Sequence, residues 1–446
     1  MSQFQGLLGV AGIIAVGWLL STDRRRVNWR IVIAGVAAQL LIALVVLRSG
    51  PVIAVFDGLA SAVAKVISFA DAGAEFIFGR ASDPSGPWGF IFAVRVLPVI
   101  IFFAALMGVL YHLGVMQRVV AAVAWALRRS LGITGAESLS AAANIFVGQT
   151  EAPLTVKPYI AGMTRSQLMA VMVGGFATIA GSVMAAYVGV LGDAYGAISG
   201  AAGGADGGRE LFAKHLLTAS VMSAPAGIVM AKLMLPETET PRPESVRALI
   251  ADERGTANVI DAAAAGASEG LRLALNVAAM LVAFVALLAL IDWPLTALSR
   301  VDTQWLPIAS WRQQWGVGEF SLRNMLGAAL SPAAWSLGVP WHDAHRVGSL
   351  LGTQVVATEF VAYLDLAGMI REGAIDRRSA QVATYCLCGF ANVASIGIQI
   401  GGLAALAPQR RAELAAIAPR AMVAGALACW MTGAVAGLFL TVPGVP

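Results

Sequence analysis

Three consecutive polar residues, Gln149, Thr150 and Glu151, interrupt an apolar run in the stretch "VGQTEAPLTVKPYI", Val147 to Ile160. A second acidic residue, Glu359, stands in a similar place in "TEFVAYL", again directly behind a threonine, Thr358. A carboxylate accepts hydrogen bonds, whereas a glutamine both donates and accepts them. Gln149 and Thr150 therefore suit the edge of a planar heterocycle, and Glu359 suits the hydroxyl donors of a polar solute. A charged side chain at membrane depth costs at least about 2.5–3.5 kcal/mol on insertion scales, so such a residue is a functional candidate by default.

The surroundings are those of a membrane. The chain has 446 residues, 58% of them hydrophobic and 13% charged, with mean hydropathy +0.76. A soluble domain carries roughly 25% charged residues, so a soluble enzyme is excluded. Long apolar runs without alternation mean helices rather than a barrel. The net charge of +4 is modest and does not suggest a nucleic-acid partner. Met1 to Thr22 ends in Arg24, Arg25, Arg26 and Arg30 rather than beginning with positive charge, so it reads as a first span with a cytoplasmic arginine cluster and an outside N-terminus.

Further spans are expected at about Asn28–Leu47, Gly86–Leu113, Ser166–Leu191, Leu211–Leu235, Leu271–Ile291, Ser379–Leu406 and Leu414–Val442. Val52–Gly79, with Asp57, Lys65, Asp71 and Glu75 along it, reads as an interfacial helix, as does Met116–Leu131. Pro236–Gly266 is polar and divides the chain, and six tryptophans between Trp293 and Trp341 mark an interface. This gives four parts. Residues 1–113 hold N-terminal spans, an interfacial helix and a scaffold helix; 114–235 form a first repeat; 236–268 are a cytoplasmic polar loop; 269–446 form a second repeat. The fold class is an all-α integral membrane protein of about eight transmembrane helices, with two re-entrant helical hairpins and interfacial helices.

The repeat is legible in the residues. "TEAPL" precedes "GFATIAGS" in the first half, and "TEFVAYL" precedes "GFANVASI" in the second. Counting spans, the two Thr-Glu segments enter from opposite sides, which makes the repeats inverted. That is the architecture of secondary transporters, with the site where discontinuous elements meet at the midplane. Arg371, Arg377 and Arg378 then fall outside, against the positive-inside bias. Gly148 and Pro153 prevent one straight span through the first segment, so its tip folds back inside the protein. Gly175, Gly181 and Gly189, with Gly389 and Gly397, permit unwinding of the helices that follow. Freed carbonyls and hydroxyls are the hard oxygen ligands of a small cation, with Asn144 and Thr178 as side-chain candidates; the same residues also serve as packing glue between membrane helices.

Cys386, Cys388 and Cys429 read as small apolar filler. His342 and His345 lack a third ligand at metal-site spacing and read as surface or interfacial residues.

Four segments carry a resemblance. "FVGQTEAPL", "GGFATIAGSVMAAY", "ATEFVAYLDLA" and "CGFANVASIGIQIGGL" resemble, in order and at fitting distances, the hallmark segments of the concentrative nucleoside transporter family. The resemblance runs from Met1 to about Val442. It implies a homotrimer in a bacterial inner membrane, each protomer with a scaffold and a mobile transport domain. It also implies that Gln149, Thr150 and Glu151, with Val183, face a nucleobase. Glu359, Asn392 and Ser395 would bond the ribose, with Phe390 packing nearby. A sodium ion would be held by the Asn144 and Thr178 side chains and the carbonyls of Val147 and Ile179. These four positions resemble the sodium-coupled pattern; a proton-coupled symporter of the same fold is the alternative. An intramembrane enzyme lacks a nucleophile–base pair or metal motif here, and two separate carboxylates suit a closed solute site better than a pore ring. If Glu359 accepts from ribose, Glu359→Gln cripples uptake of labelled nucleoside at low concentration; full uptake by that variant counts against the assignment.

Overall fold

Proline, glycine and polar caps decide where the helices stop. The computed structural model describes residues 2–83, 91–198, 203–241, 256–303, 305–310 and 319–440. The chain opens with α1 (Ser2–Leu19), α2 (Trp29–Arg48) and α3 (Gly50–Phe78). Next come the short α4 (Phe92–Arg95) and α5 (Leu97–His112), then α6 (Val115–Leu131) between two left-handed glycines, Gly114 and Gly132. The first Thr-Glu segment forms α7 (Gly135–Ala143), an irregular turn, a 3-10 stretch (Ala152–Val156) and the short α8 (Lys157–Ile160). Then follow α9 (Arg165–Ala177), α10 (Gly181–Gly196) and α11 (Gly204–Met234).

The second half begins with α12 (Val259–Ser299) and continues with α13 (Leu322–Ser336). The second Thr-Glu segment is α14 (Trp341–Val356) and α15 (Glu359–Arg371), with Thr358 capping the latter. The chain closes with α16 (Arg377–Cys386), α17 (Val393–Leu406) and α18 (Arg411–Phe439). Among the described residues the only strand pairing is a two-residue ladder, Asp302–Thr303 with Leu306–Pro307.

The order of elements repeats. A leading apolar helix (α5, α12), a second helix (α6, α13), a broken Thr-Glu segment (α7 with α8, α14 with α15), an interrupted helix (α9 with α10, α16 with α17) and a long closing helix (α11, α18) recur in each half. The two leading helices, α5 and α12, pack on each other, and α10 of the first half packs on α15 of the second.

Among the described residues, seven helical stretches are long and apolar enough to cross a membrane, and two shorter apolar helices, Gln5–Leu19 and Val393–Leu406, join them. They fall into two groups. Arg165–Gly196, Gly204–Met234 and Pro408–Phe439 are 100%, 89% and 78% buried; Trp29–Arg48, Phe92–His112, Gly50–Ser82 and Val259–Ser299 are between 28% and 11% buried. The interrupted pair α9 and α10 and the long closing helices α11 and α18 thus sit at the centre, and α2, α3, α5 and α12 lie at the outside.

Two expectations shift. Gly50–Ser82 is itself long and apolar enough to cross, so length and composition do not set Val52–Gly79 apart from the spans. Its charges are used in contacts: Asp57 pairs with Lys214 at 2.7 Å and Asp71 with Arg209 at 3.1 Å, which ties α3 along α11. The stretch read as polar loop to residue 268 is already helix from Val259, because Asn258 caps the Asp261 N–H and the alanine run that follows favours helix. Residues 84–90 at the start of the expected Gly86–Leu113 span lie outside the described residues, as do 242–255 of the polar stretch, and Trp311 and Trp315 of the tryptophan-rich segment.

Both interrupted helices break where expected. Helix α9 ends at Ala177, and Thr178 is extended at φ −130°, ψ 168°; α16 and α17 are separated by residues 387–392. The two breaks touch, because the Phe390 N–H donates to the Thr178 carbonyl at 3.2 Å. Gly389 makes that crossing possible: a Cβ there would lie 2.6 Å from the Phe176 oxygen and also strike the Cys429 sulfur. Gly389→Ala is therefore expected to cost about 1–3 kcal/mol, read as a lowered thermal midpoint of the purified protein. Gly397→Ala, where nothing lies within 4 Å, is the control; equal midpoints for the two variants would contradict the tight crossing.

Candidate functional site

A line of hydrogen bonds runs from one Thr-Glu segment to the other through the second break. Gln149 Nε2 donates to Ser395 Oγ at 3.3 Å. The Ser395 N–H donates to Asn392 Oδ1 at 2.8 Å, which caps α17. Asn392 Nδ2 then donates to Glu359 Oε2 at 2.8 Å, and Tyr187 OH donates to the other oxygen, Oε1, at 3.0 Å. Gln149, Ser395, Asn392 and Glu359 are all buried. Four of the residues singled out in the sequence are thus one connected unit.

The others surround it. Thr150 and Glu151 are exposed at the turn after α7. Glu151 Oε2 accepts the Gly148 N–H at 3.0 Å and so closes the turn on itself. Thr150 packs on Gly402 of α17, where a Cβ would come 3.1 Å from its methyl carbon. Val183 is buried on α10, and Phe390 is half-buried with its backbone spent on the crossing.

Asn144, Val147, Thr178 and Ile179 gather at the first break. Asn144 Nδ2 donates to the Ser140 carbonyl at 3.0 Å. That carbonyl can only accept, which fixes the amide orientation. Its Oδ1 is buried with no donor. Thr178 Oγ1 donates to the Gly174 carbonyl at 2.8 Å, leaving the oxygen's lone pairs available. Gly174 is also where Asn144 lies, since a Cβ there would sit 2.9 Å from Nδ2. The Gly181 N–H donates to the Phe146 carbonyl at 3.0 Å, which pins the turn bearing Val147 to the break bearing Ile179. Among the described residues no hydrogen bond goes to the Val147 or Ile179 carbonyl.

Tyr187 is the residue the sequence reading passes over. It is fully buried, stacks on Tyr363 with ring centroids 4.1 Å apart, and meets Phe360 edge-on at 5.0 Å. It stands four residues after Val183, hence on the same helix face, and that spacing is the signal that could have found it. His342 Nε2 lies 2.7 Å from Asp376 Oδ2, and His345 Nε2 lies 3.2 Å from the Asn324 carbonyl, so the two histidines serve separate contacts.

Two polar clusters hold the site in place. At the foot of α7, buried Lys232 is ion-paired with buried Glu137 and bonds Ser166 Oγ at 3.0 Å and Glu237 at 3.3 Å. Thr134 and Thr164 cap α7 and α9 there with reciprocal Glu137 and Gln167 boxes, and Gln167 Nε2 reaches Thr134 Oγ1 at 3.1 Å. At the far end of α10, Asp71, Arg95, Asp193 and Arg209 form a closed ring of four ion pairs of 3.1–3.3 Å.

Two interrupted helices crossing at a buried polar centre, wrapped by apolar spans, define a membrane transporter. Comparison with known proteins agrees. The family model for the Na+ dependent nucleoside transporter C-terminus matches residues 215–437, its N-terminal counterpart matches 8–81, and a nucleoside recognition model matches 93–194. An uncharacterized transporter of Haemophilus influenzae is 41% identical over 99% of this chain and 98% of its own length. Human solute carrier family 28 member 3 is 38% identical over 98% of this chain, which spans 60% of that longer protein. Among solved structures, CNTnw in an inward-facing substrate-bound state matches at TM-score 0.84 and 40% identity over 98% of both chains. A double variant of CNTnw in an outward-facing state matches at TM-score 0.84 and 39% identity, again over 98% of both. The chain belongs to the concentrative, Na+-dependent nucleoside transporter family, and it is a transporter rather than an enzyme.

Lys232→Met leaves Glu137 buried without its cation, an arrangement that costs about 3–5 kcal/mol. The expected readout is a marked drop in the thermal midpoint of the purified protein. A wild-type midpoint would show that the foot of α7 does not depend on this pair.

Proposed function

We propose that the protein is a secondary active symporter that carries nucleosides across the membrane on a sodium gradient by alternating access. One observation carries the reading: the unbroken hydrogen-bond line from Gln149 through Ser395 and Asn392 to Glu359. It sets an amide at one end and a carboxylate at the other, which suits a ligand with a heterocycle at one end and hydroxyls at the other. Gln149, Thr150 and Glu151, with Val183 beneath, take the nucleobase. Glu359, Asn392 and Ser395 take the ribose, with Phe390 alongside and Tyr187 holding the carboxylate in place.

The sodium ion is cargo as well as driver. Asn144 Oδ1 and Thr178 Oγ1 supply two side-chain oxygens, and the Val147 and Ile179 carbonyls supply two more. All four are neutral, hard donors of the kind small cations take, and the donorless buried Asn144 oxygen supports a cation there. Because the set joins the turn after α7 to the break after α9, an ion bound between them orders the turn that carries Gln149, Thr150 and Glu151. Binding of the ion thereby raises affinity for the nucleoside, and the nucleoside raises affinity for the ion by the same factor. The two Thr-Glu segments act as re-entrant hairpins, and the unit they form with the broken helices moves against the outer helices.

The nucleoside-transporter and nucleoside-recognition family models that match the chain support the substrate class. The bacterial relatives, similar from end to end, support an inner-membrane location. The exposed apolar faces of α3 and α12 are the surfaces available to neighbouring copies in a homotrimer.

Uptake of labelled uridine into proteoliposomes tests the reading. An inward sodium gradient is expected to drive accumulation above equilibrium, and replacing sodium by potassium is expected to abolish it. Accumulation driven by a proton gradient without sodium would reassign the ion. Equilibration without accumulation would make the protein a channel.

A further inference from the structure

His342 does have further ligand-bearing neighbours, but one of them is 34 residues away in the chain, beyond the reach of spacing. Among the described residues, His342, Asp343 and Asp376 form a group whose ligand atoms all lie within 4.8 Å of one another. His342 Nε2 is 2.7 Å from Asp376 Oδ2 and 3.7 Å from Asp343 Oδ2. The Asp376 N–H donates to that same Asp343 oxygen at 3.0 Å, so the backbone itself holds residue 376 against Asp343. Arg346 Nη1 lies 3.3 Å from the other Asp343 oxygen, Oδ1, and donates to the His342 carbonyl at 3.4 Å.

Acidic residues at helix starts answer the helix dipole, which accounts for each aspartate taken alone. Asp343 lies in the first turn of α14, and Asp376 is the N-cap of α16. Two features go further. The Asp376 side chain makes no capping bond, whereas Thr134, Thr164, Thr358 and Asn392 all cap their helices. Its carboxylate is given to the imidazole instead. Burial is also divided: Asp343 is 1% exposed, while the His342 and Asp376 side chains are 63% and 59% exposed. One ligand is fixed by its surroundings and two have room to adjust. Ligand atoms on a tetrahedral cation stand about 3.4 Å apart when each is about 2.0–2.2 Å from the metal. The observed 2.7 and 3.7 Å reach that spacing with small turns of the exposed side chains.

We propose that His342, Asp343 and Asp376 hold a divalent transition-metal ion, with zinc as its representative. An imidazole and carboxylates are ligands that zinc accepts, and a water completes its shell. The imidazole sets the class of metal, because calcium and magnesium take oxygen ligands. Imidazole binds metal in its neutral form, and the single Arg346 guanidinium then answers only part of the charge of two carboxylates. The site stands apart from the nucleoside centre. It joins the first turn of α14 to the start of α16, the two ends of the segment that presents Glu359.

Zinc chloride is titrated by calorimetry into the full-length, tag-free protein, freed of metal with chelator, in near-neutral sodium buffer without nucleoside. About one zinc per chain is expected to bind, and calcium is expected to bind at least about tenfold more weakly. His342→Ala and Asp376→Asn are each expected to weaken zinc binding at least about tenfold, since loss of a group that merely orients a ligand already costs that much. His345→Ala, which removes only the contact with the Asn324 carbonyl, is expected to leave zinc affinity unchanged. Absence of saturable zinc binding to the wild type overturns the inference. So does calcium binding as tight as zinc binding, the result for an acidic patch only, and so does a His342→Ala variant that binds zinc like the wild type. The comparison of zinc with calcium decides the matter on the wild type alone if a variant does not fold.

Discussion

One backbone hydrogen bond, from the Phe390 N–H to the Thr178 carbonyl, stands at the point on which the structure turns. An interrupted helix leaves N–H and C=O groups without partners, and in a dry interior each such group costs several kcal/mol. Here two interruptions are laid across each other, so that one break supplies what the other lacks. The price is space, since only glycine at position 389 lets the chains approach so closely. Once the crossing exists, the first residues of α17 lie beside the second Thr-Glu segment and the residues before α10 lie beside the first. The polar centre follows from the crossing rather than being added to it.

The remaining architecture keeps the crossing in register. The first interrupted helix, Arg165–Gly196, is buried in protein along its whole length, while α2, α3, α5 and α12 expose most of theirs. Polar groups tie the inner set at its margins. Lys232 gathers Glu137, Ser166 and Glu237 at the base of α7, and the four-charge ring secures the end of α10 to α3 and α4. In both clusters charge meets charge with most lone pairs and protons used, which is the condition under which buried ions are tolerated.

Much of this was legible in the chain. Pro153 and Gly148 announced that the segment after Asn144 could not be a plain helix, and paired Thr-Glu and Gly-Phe-Ala blocks announced the repeat. Those are local signals, because proline and glycine act on their own backbone. The partners of Glu359 were not legible from spacing. Asn392 is 33 residues away and Tyr187 is 172 residues away, and nothing in a sequence of apolar helices fixes which faces meet. The start of α12 was misplaced for a different reason: Asp261 and Glu269 gave the segment a polar look, whereas its alanines carry the helix. Val147 and Ile179 show a third limit, since a backbone carbonyl can be a candidate ligand in any residue and its side chain says nothing about it.

The position of Glu359 has an electrostatic consequence. It is the first residue of α15, and it accepts from Asn392, which caps the first turn of α17. Among the described residues neither lysine nor arginine pairs with it. Aligned peptide dipoles leave roughly half a positive charge at a helix N-terminus, and the carboxylate is set at two such ends. Peptide groups that cannot leave favour its charged form in place of a side-chain cation, so a neutral ligand can bind there without displacing a counter-ion.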